Sequence, residues 1–308
     1  MTRAAPPWIS GEEVFTRVSF GLAVRAVQRE LSAGLDPAHD VSRIILDVAH
    51  GQLLLMPTQS SEFVGVKIAT VTPGNPARGQ ERVQGVYLLM DAATLSPVAL
   101  IDAPALTTLR TPAVSAAVAD HLAPSHVDQL VVFGSGPQAW GHIEAMRVIR
   151  TVGQVTIIAR DQGRAAALAS RVQASGLDAQ VGRADDVRDA QLIVCATTAR
   201  TPLFDGSLVL DDSLTVAVGS HEADAREVDS ALIRRAQLVV EDTAVALREA
   251  GDLLIPLGEG VIHPAALVPM RDIILQTTPV DLGRPRFFTS SGMSWEDLVI
   301  AAEVFRAR

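Results

Sequence analysis

The stretch LVVFGSGPQA, residues 130–139, decides the fold of the second part of this chain. Four apolar residues typical of a buried strand lead into Gly134-Ser135-Gly136-Pro137-Gln138-Ala139, which opens a helical pattern. In this strand–turn–helix setting, GxGxxA predicts a βαβ unit that binds a dinucleotide. Gly134 permits the tight turn, Gly136 lets backbone N–H groups approach a pyrophosphate, and Ala139 lets the helix lie close to the sheet. The alternative is a glycine turn with no ligand.

Short apolar strands alternate with helical stretches throughout the region that contains this motif. The strands are predicted at QLVVF, QVTIIA, QLIVCATT, LTVAVGS and AQLVVED. Strands that are apolar throughout and alternate with helices predict a parallel sheet covered by helices on both faces. We therefore assign residues 123–284 to a doubly wound, Rossmann-type NAD(P)-binding domain in an α/β fold.

The residues before this domain follow a different pattern. Ser10 and Glu13 predict a capping box, and apolar residues spaced from Phe20 to Leu31 predict an amphipathic helix. The runs SRIILDV, QLLLM, FVGVKIATV, VQGVYLLM and PVALI predict a largely antiparallel sheet. Pro112 suits the first turn of a helix that ends near Leu122. Residues 1–122 therefore predict an α+β domain.

The last segment, residues 285–308, contains a short predicted strand, RFFT, and a closing helix. The apolar positions of that helix need a surface to cover: Leu298, Ala301, Ala302 and Phe305. We expect the whole segment to return to the first domain, which is then built from residues 1–122 and 285–308.

Composition excludes several classes of protein. The 308 residues contain 26 Lys and Arg and 35 Asp and Glu, and the formal net charge of −9 repels nucleic acids and anionic lipids. No apolar run approaches the ~20 residues that cross a bilayer. Two prolines and two adjacent glutamates interrupt the first twenty residues, so we expect no secretory signal. Cys195 is the only cysteine and lies in an apolar run. We expect a buried, reduced thiol in a soluble, cytoplasmic protein.

The end of the second strand indicates the coenzyme. Arg160 follows VTIIA, with Asp161 next and Arg164 one turn further. An arginine there pairs with a 2′-phosphate, so we expect NADP(H) to be preferred, while Asp161 can accept a ribose 2′-OH and keep NAD(H) competent. Arg160 is otherwise an ordinary solvated charge at a strand exit. Thr197-Thr198 and Gly219-Ser220 follow later strands and are predicted to line the nicotinamide half.

Hydride chemistry needs a substrate beside the nicotinamide, so we expect the other domain to supply polar groups. Three cations there have apolar or strand-end surroundings: Arg43, Lys67 and Arg110. A lone charge on an apolar strand is costly unless it faces an anion or a solvent-filled cavity. Taken singly, each of them is more often a salt-bridged or snorkelling residue than a ligand.

Residues 65–119, which begin GVKIATVTPGNP and include LTTLRT, resemble the signature of the ornithine cyclodeaminase/μ-crystallin family. VFGSGPQA, VGSHEADAREVD and FFTSSGMSWEDLVIA follow in the family's order. The resemblance implies a homodimer whose first domain, joined by the C-terminal helix, forms the subunit interface and the substrate pocket. It implies NAD(P)-dependent chemistry at the α-carbon of an amino or imino acid. Arg43, Lys67 and Arg110 would hold the substrate carboxylate, and Lys67 would also donate a proton to the imine nitrogen or position a water.

The departure from the family's cyclodeaminases is at His221, where those enzymes carry an aspartate that handles the substrate amine. An imidazole does not attract an ammonium, which argues against ornithine as the substrate. The family's reductases accept non-acidic residues at this position, so the resemblance favours an imine reductase or amino-acid dehydrogenase. Glu222, Asp224 or Glu227 can substitute, although we expect them to cap or flank the next turn. His221 is therefore a candidate catalytic residue with Lys67, or else a polar loop residue. Thr289, where the family often has lysine, is a milder departure.

The leading hypothesis is a homodimeric NAD(P)H-dependent oxidoreductase that reduces a small cyclic imino acid, or runs the reverse oxidation. One alternative is ornithine cyclodeaminase, a redox-neutral lyase that keeps NAD tightly bound. The other is a non-catalytic, dinucleotide-dependent binding protein, against which Lys67 and Arg110 weigh. We expect no metal.

Overall fold

The computed structural model describes residues 5–307. They form two compact units, one containing the residues up to Thr111 together with those from Gly292, and the other comprising Pro112–Ser291. The sequence places these divisions at 122/123 and 284/285, so the Rossmann-type unit extends further in both directions than predicted. Within residues 5–307, none of the helices combines the length and apolarity needed to cross a bilayer.

The first unit contains a six-stranded sheet. Its strands are β1 (Trp8–Ile9), β2 (Ile44–Val48), β3 (Gly51–Gln59), β4 (Phe63–Val71), β5 (Val83–Asp91) and β6 (Pro97–Asp102). Their order is β1-β6-β5-β4-β3-β2, antiparallel except that β1 runs parallel to β6. The predicted strands and their antiparallel pairing are therefore confirmed. Lys67 on β4 lies between Met56 and Tyr87 in register, on the buried face.

The first helices are α1 (Gly11–Arg17) and α2 (Phe20–Ser32). The predicted capping box at the start of α1 is confirmed, since Ser10 N–H donates to Glu13 at 2.9 Å and Glu13 N–H donates to Ser10 at 3.3 Å. Helix α1 ends before Val18, which has an extended backbone, and Ser19 caps α2. The predicted amphipathic helix from Phe20 to Leu31 is therefore confirmed as α2, a helix separate from α1.

Helix α3 (Ala103–Leu122) continues across the division between the units. The prediction that a helix starts at Pro112 is wrong, because Pro112 lies inside α3. The helix begins where Asp102 accepts a hydrogen bond from the N–H of Ala105 at 2.8 Å. An internal proline costs about 3 kcal/mol. We attribute its tolerance here to the almost complete burial of the helix.

Helix α10 (Ser294–Arg306) closes the first unit. It packs against α2 and against β3, β4 and β5, as its apolar stripe predicts. Leu298, Ala301 and Ala302 are buried, and the ring of Phe305 meets Phe63 edge to face at 5.8 Å. The expected return of this helix to the N-terminal part of the chain is observed.

The second unit contains an eight-stranded parallel sheet. Its strands are β7 (Val127–Phe133), β8 (Val152–Ile158), β9 (Asp178–Val181), β10 (Leu192–Cys195), β11 (Leu214–Ala217), β12 (Gln237–Val240), β13 (Leu267–Pro269) and β14 (Arg286–Thr289). Its remaining helices are α4 (Pro137–Ile149), α5 (Gln162–Ala174), α6 (Ser230–Arg235), α7 (Thr243–Glu249), α8 (Gly251–Gly258) and α9 (Met270–Ile274). The order is β13-β12-β14-β11-β10-β7-β8-β9, which confirms the doubly wound α/β prediction.

Strand β14 lies between β11 and β12, so its predicted place in the first domain is wrong. Phe287 and Phe288 are fully buried, as a central strand with both faces covered requires. Arg286 is also fully buried, and its guanidinium donates to the backbone oxygens of Leu122, Asp211, Asp212 and Arg284. Chain order alone does not show that a late strand inserts into an earlier sheet.

Candidate active site

The carboxyl ends of β11, β10, β7 and β8 lie side by side along one edge of the parallel sheet. The chain runs outward from β7 in opposite directions, and a parallel sheet binds its ligands at such a switch point. Gly134 follows β7 with φ +121°, and a Cβ there would lie 2.5 Å from the carbonyl oxygen of Ala196. Only glycine therefore fits at this turn.

The N-terminus of α4 is open to an anion. Gly136 is its N-cap residue with no side-chain cap, whereas Asp161, Asp229 and Asp242 cap α5, α6 and α7. A Cβ on Gly136 would meet nothing within 4 Å. Ala139 is fully buried one turn on. Backbone N–H groups and the helix dipole are therefore available to a pyrophosphate, so the residues present fit a dinucleotide.

The remaining residues of the motif and the predicted 2′-phosphate site are at the surface. Ser135 and Gln138 are half-buried and Pro137 is exposed at the start of α4. Arg160, Asp161 and Arg164 are exposed after β8, the neighbour of β7. The Asp161 carboxylate accepts the N–H of Arg164 at 3.0 Å and so caps α5.

A buried glutamate joins the loops after β10 and β11. Glu227 Oε1 accepts from the N–H and hydroxyl of Thr197, and its Oε2 accepts from the N–H of Gly219. Thr198 is exposed, while the buried Ser220 hydroxyl donates to Ala225 O at 2.5 Å. The structure thus joins one residue of each predicted nicotinamide-side pair, Thr197 and Gly219, through the carboxylate of Glu227.

His221 is exposed in the loop after β11. Two of the acids that follow it, Glu222 and Asp224, pair with Arg200 at 2.5 and 2.7 Å. Of the three acids considered as substitutes for the cyclodeaminase aspartate, two are thus in ion pairs and Glu227 is used in the buried network.

Lys67 and Arg110 form a buried cluster with two acids of α10. The Lys67 Nζ donates to Asp297 Oδ2 at 2.7 Å, and Arg110 Nη1 donates to Glu296 Oε2 at 2.6 Å. Arg110 Nε also lies 3.4 Å from Asp297 Oδ1, so Asp297 contacts both cations. All four side chains are almost inaccessible to solvent. Their formal charges cancel.

The neighbouring chain segments hold this cluster. Arg110 lies against Gly292, whose φ is +85° and on which a Cβ would lie 2.6 Å from both terminal guanidinium nitrogens. Asp40 accepts from the N–H of Trp295 at 3.1 Å. Arg43, half-buried, follows three residues after Asp40, so the chain leading to it contacts the first turn of α10.

The acids of the cluster were missed by sequence reasoning, although a signal was present. Asp297 lies one helical turn before Ala301, on the same apolar stripe of α10 as Leu298. A carboxylate on a stripe that must be buried predicts a buried cation partner. The apolar spacing of the stripe, by contrast, predicts only a packing surface.

The cluster changes the proton affinity of its members. Burial lowers the pKa of Lys67 to about 8, with Arg110 acting in the same direction and the carboxylates of Asp297 and Glu296 opposing the fall. Burial, with the charges of Asp297 and Asp40, raises the pKa of the Tyr87 hydroxyl well above its usual value. Lys67 is therefore mainly an ammonium at neutral pH but gives up a proton more readily than an exposed lysine.

Comparison with known proteins agrees with this geometry. The family model described as the ornithine cyclodeaminase/mu-crystallin family matches residues 11–307. The chain belongs to this family. It is 33% identical to a Delta(1)-pyrroline-2-carboxylate reductase of Bacillus cereus over 264 residues, covering 82% of this chain and 80% of that protein.

Solved structures with the same fold include a reductase and a dehydrogenase. The structure of Thermococcus litoralis Delta(1)-pyrroline-2-carboxylate reductase in complex with NADH and L-proline has a TM-score of 0.91 at 25% identity, covering 97% of this chain and 96% of that one. An archaeal alanine dehydrogenase dimer with bound NAD also has a TM-score of 0.91, at 24% identity, covering 98% and 95%. The predicted family and its Rossmann-type fold are confirmed.

Proposed function

We propose that this member of the ornithine cyclodeaminase/mu-crystallin family is an NAD(P)H-dependent reductase of a small cyclic imino acid. The observation that carries the proposal is the hydrogen bonding of Lys67. An ammonium has three N–H donors, and Lys67 uses two, toward Asp297 and toward Thr107 at 3.4 Å. Its third N–H has no acceptor among residues 5–307. A buried donor of this kind is suited to a substrate atom.

The chain's own residues would hold the substrate and supply its proton. Arg110, with Arg43, would bind the carboxylate, since a guanidinium fork matches carboxylate geometry. Fixing the carboxylate also fixes the adjacent C=N carbon and so orients it for reduction. Lys67 would donate a proton to the imine nitrogen, while Asp297 stabilises its ammonium form. The coenzyme, when bound, supplies the hydride. The product is an amino acid, and Lys67 regains its proton from solvent.

The relatives support this reaction more than ring closure of ornithine. The Bacillus cereus and Thermococcus litoralis relatives are both pyrroline-2-carboxylate reductases. Glu222 and Asp224 pair with Arg200, which weighs against either of them replacing the cyclodeaminase aspartate. We assign no proton transfer to His221, which is exposed in the loop after β11.

The proposal is tested by assaying the purified protein with pyrroline-2-carboxylate and either NADPH or NADH. We expect loss of absorbance at the reduced coenzyme's wavelength and formation of proline. A panel of cyclic and linear imino and keto acids that gives no turnover with either coenzyme would refute it. Coenzyme binding without turnover would favour the non-catalytic alternative. Ammonia release from ornithine without net NADH would indicate the cyclodeaminase.

We propose that NADP(H) is the preferred coenzyme and that NAD(H) is accepted. Arg160 and Arg164 are exposed beside the end of β8 and form no ion pair within residues 5–307, while Asp161 is used as a helix cap. Both arginines can therefore face a 2′-phosphate. The pyrophosphate would lie on residues 134–139, and the nicotinamide half beside Thr197, Thr198, Gly219 and Ser220.

Replacing Arg160 by serine is expected to lower the ratio of kcat/KM for NADPH to that for NADH by about tenfold, since a charge-assisted pair with phosphate contributes roughly 1.5–3 kcal/mol. Steady-state kinetics with each coenzyme measure it. Arg171→Ser is the matched control, because Arg171 lies on α5, the helix that follows Arg160, and its guanidinium lies over the ring of Trp140 at 3.7 Å. An unchanged ratio in the Arg160 variant would show that the 2′-phosphate is bound elsewhere or is not preferred.

We also propose that the protein is a cytoplasmic homodimer. The edge strand β2 exposes Ile44, Ile45, Leu46 and Val48, each at close to half of its surface. A solvent-exposed apolar edge strand tends to pair with other chains, so we expect a partner to cover β2. The occupant we propose is a second copy, since the archaeal alanine dehydrogenase of the same fold is a dimer. The single, buried Cys195 supports a reducing compartment.

The double substitution Ile44→Glu and Leu46→Glu is expected to convert the dimer into a monomer, because it places two charges on one face of β2. Sedimentation equilibrium measures the mass. Leu282→Glu, on an exposed loop of the other unit, is the control and should leave the mass unchanged. A wild-type protein that sediments as a monomer, or a double variant that stays dimeric, contradicts this assignment.

A further inference from the structure

Glu227 is a buried carboxylate that the proposed reaction does not use. Its side chain accepts three hydrogen bonds: from Thr197 N–H at 2.8 Å, Thr197 Oγ1 at 2.7 Å and Gly219 N–H at 2.7 Å. Thr197 follows β10 and Gly219 follows β11, which are adjacent strands. One side chain therefore sets the separation of two loops at the ligand-binding edge of the sheet.

The two loops approach each other closely at Gly219, leaving no room for a side chain there. A Cβ on Gly219 would lie 2.1 Å from Thr197 O and 2.6 Å from Glu227 Oε1. Thr197 Oγ1 in turn accepts the N–H of Ala199 at 3.0 Å, which fixes the continuation of its loop. Moving the carboxylate would therefore move both loops.

A second buried acid holds Glu227 from behind. Asp252, in the first turn of α8, accepts from the N–H groups of Glu227 and Val228 at 2.6 and 3.1 Å. Both acids are almost inaccessible to solvent. The start of α8 also lies against the loop after β11, because a Cβ on Gly251 would lie 2.0 Å from Ala225 O. The backbone of Glu227 is thus held in place by Asp252, and the hydrogen bonds of its carboxylate hold Thr197 and Gly219 relative to that backbone.

We propose that Glu227 is a positioning residue of the coenzyme site. Its carboxylate holds the loops after β10 and β11 in the form that receives the nicotinamide half, and protonation of this carboxylate releases both loops. This inference rests on the proposed function, because it assumes a dinucleotide at this edge. A carboxylate accepts hydrogen bonds from N–H groups about twice as strongly as a neutral acceptor. Its protonated form would hold both loops less tightly.

The surroundings of Glu227 place this protonation near neutrality. Burial and the negative charge of Asp252 raise the pKa of Glu227 to about 7, while its bonds from Thr197 and Gly219 oppose the rise. Burial raises the pKa of Asp252 to about 6, and Arg226 opposes this. The Cys195 thiol on β10 also senses both carboxylates, which help burial raise its pKa. As pH falls through about 7, Glu227 gains a proton and its hydrogen bonds to the two loops weaken.

The test compares Glu227→Gln with the wild type by the dissociation constants of NADPH, NADH and ADP-ribose, which lacks the nicotinamide ring. At pH 8 we expect Glu227→Gln to bind both coenzymes about tenfold more weakly, the effect of losing one charge-assisted hydrogen bond. Its affinity for ADP-ribose should be unchanged. Glu222→Gln, in the same loop but exposed and paired with Arg200, is the control and should bind all three normally.

The pH dependence separates positioning from a general loss of structure. Wild-type affinity for the coenzymes should weaken as pH falls from 8 to 6, and the affinity of Glu227→Gln should not. A variant that binds all three ligands like the wild type, or weakens on all three equally, overturns the inference. If wild type binds neither coenzyme, the proposed function fails and this inference with it.

A second variant covers the case in which Glu227→Gln does not fold. Thr197→Val removes the hydroxyl's hydrogen bond to Glu227, together with the one it accepts from the N–H of Ala199, and retains the carboxylate. It should weaken NADPH and NADH binding by about threefold and leave ADP-ribose binding unchanged. Equal affinity of Thr197→Val and wild type for the coenzymes at pH 8 would count against the inference.

Discussion

Replacing Lys67 by methionine is expected to lower kcat for reduction of pyrroline-2-carboxylate by about 10²- to 10⁴-fold, the usual contribution of a positioned proton donor. Methionine matches the length of the lysine stem but carries no proton. The affinity of the free protein for NADPH should stay near the wild-type value, because Lys67 and the dinucleotide motif lie in different units. Stopped-flow or steady-state kinetics, with fluorescence titration of NADPH, measure the two quantities.

Loss of Lys67 also removes the nearer of the two cations that contact the buried Asp297, and breaking a buried ion pair typically destabilises a protein by about 3–5 kcal/mol. The double variant Lys67→Met with Asp297→Asn removes that carboxylate as well. It should recover much of the thermal stability and none of the activity. A single or double variant that keeps kcat within a few fold of wild type would remove Lys67 from the reaction.

The pH profile gives an independent check on the same residue. Because the pKa of Lys67 is lowered to about 8, its proton is present below that pH and kcat for imine reduction should fall as pH rises through about 8. Asp297→Asn removes a charge that raises this pKa, so the alkaline limb should move to lower pH. An alkaline limb that does not move would show that another group donates the proton.

Replacing Arg110 by glutamine is expected to raise KM for pyrroline-2-carboxylate by about 100-fold and to lower kcat as well, because the carboxylate loses both attraction and orientation. The matched substrate is 1-pyrroline, which has the same ring and no carboxylate. Wild type should discriminate strongly between the two substrates, and Arg110→Gln should lose most of that discrimination. The ratio of the two kcat/KM values measures it.

Arg110→Gln also removes the partner of Glu296, which is fully buried. Adding Glu296→Gln should restore stability without restoring discrimination between the substrates. Discrimination that survives in both variants would assign the carboxylate to Arg43 or to another group.

The dinucleotide motif and the apolar strands could be predicted because their signals are local. Gly134 and Gly136 are recognisable from their spacing and from the strand before them, and the φ of Gly134 agrees with that interpretation. The position of β14 could not be predicted, since its pairing with β11 and β12 joins residues about 70 and 50 positions apart. Likewise Pro112 predicts a helix start, but the burial of α3 outweighs the local penalty.

The candidate substrate residues show the same division. Lys67 and Arg110 were found because a cation in apolar sequence needs an explanation. The same reasoning allowed a structural ion pair, and both residues do form ion pairs, with Asp297 and Glu296. For Lys67 the ion pair is compatible with the proposed substrate role, because an ammonium that is paired on one side retains a further N–H donor.

By itself, the sequence determined the classes of secondary structure, the motif that presents backbone N–H groups to a pyrophosphate, and the family. These depend on neighbours within a few residues, where periodicity and glycine placement act directly. Only the tertiary structure decided that Asp297 lies against Lys67, 230 positions away, and that Glu227 ties Thr197 to Gly219. Such partners are selected by burial, because a charge removed from water takes whichever counter-ion or donor the packed chain brings to it.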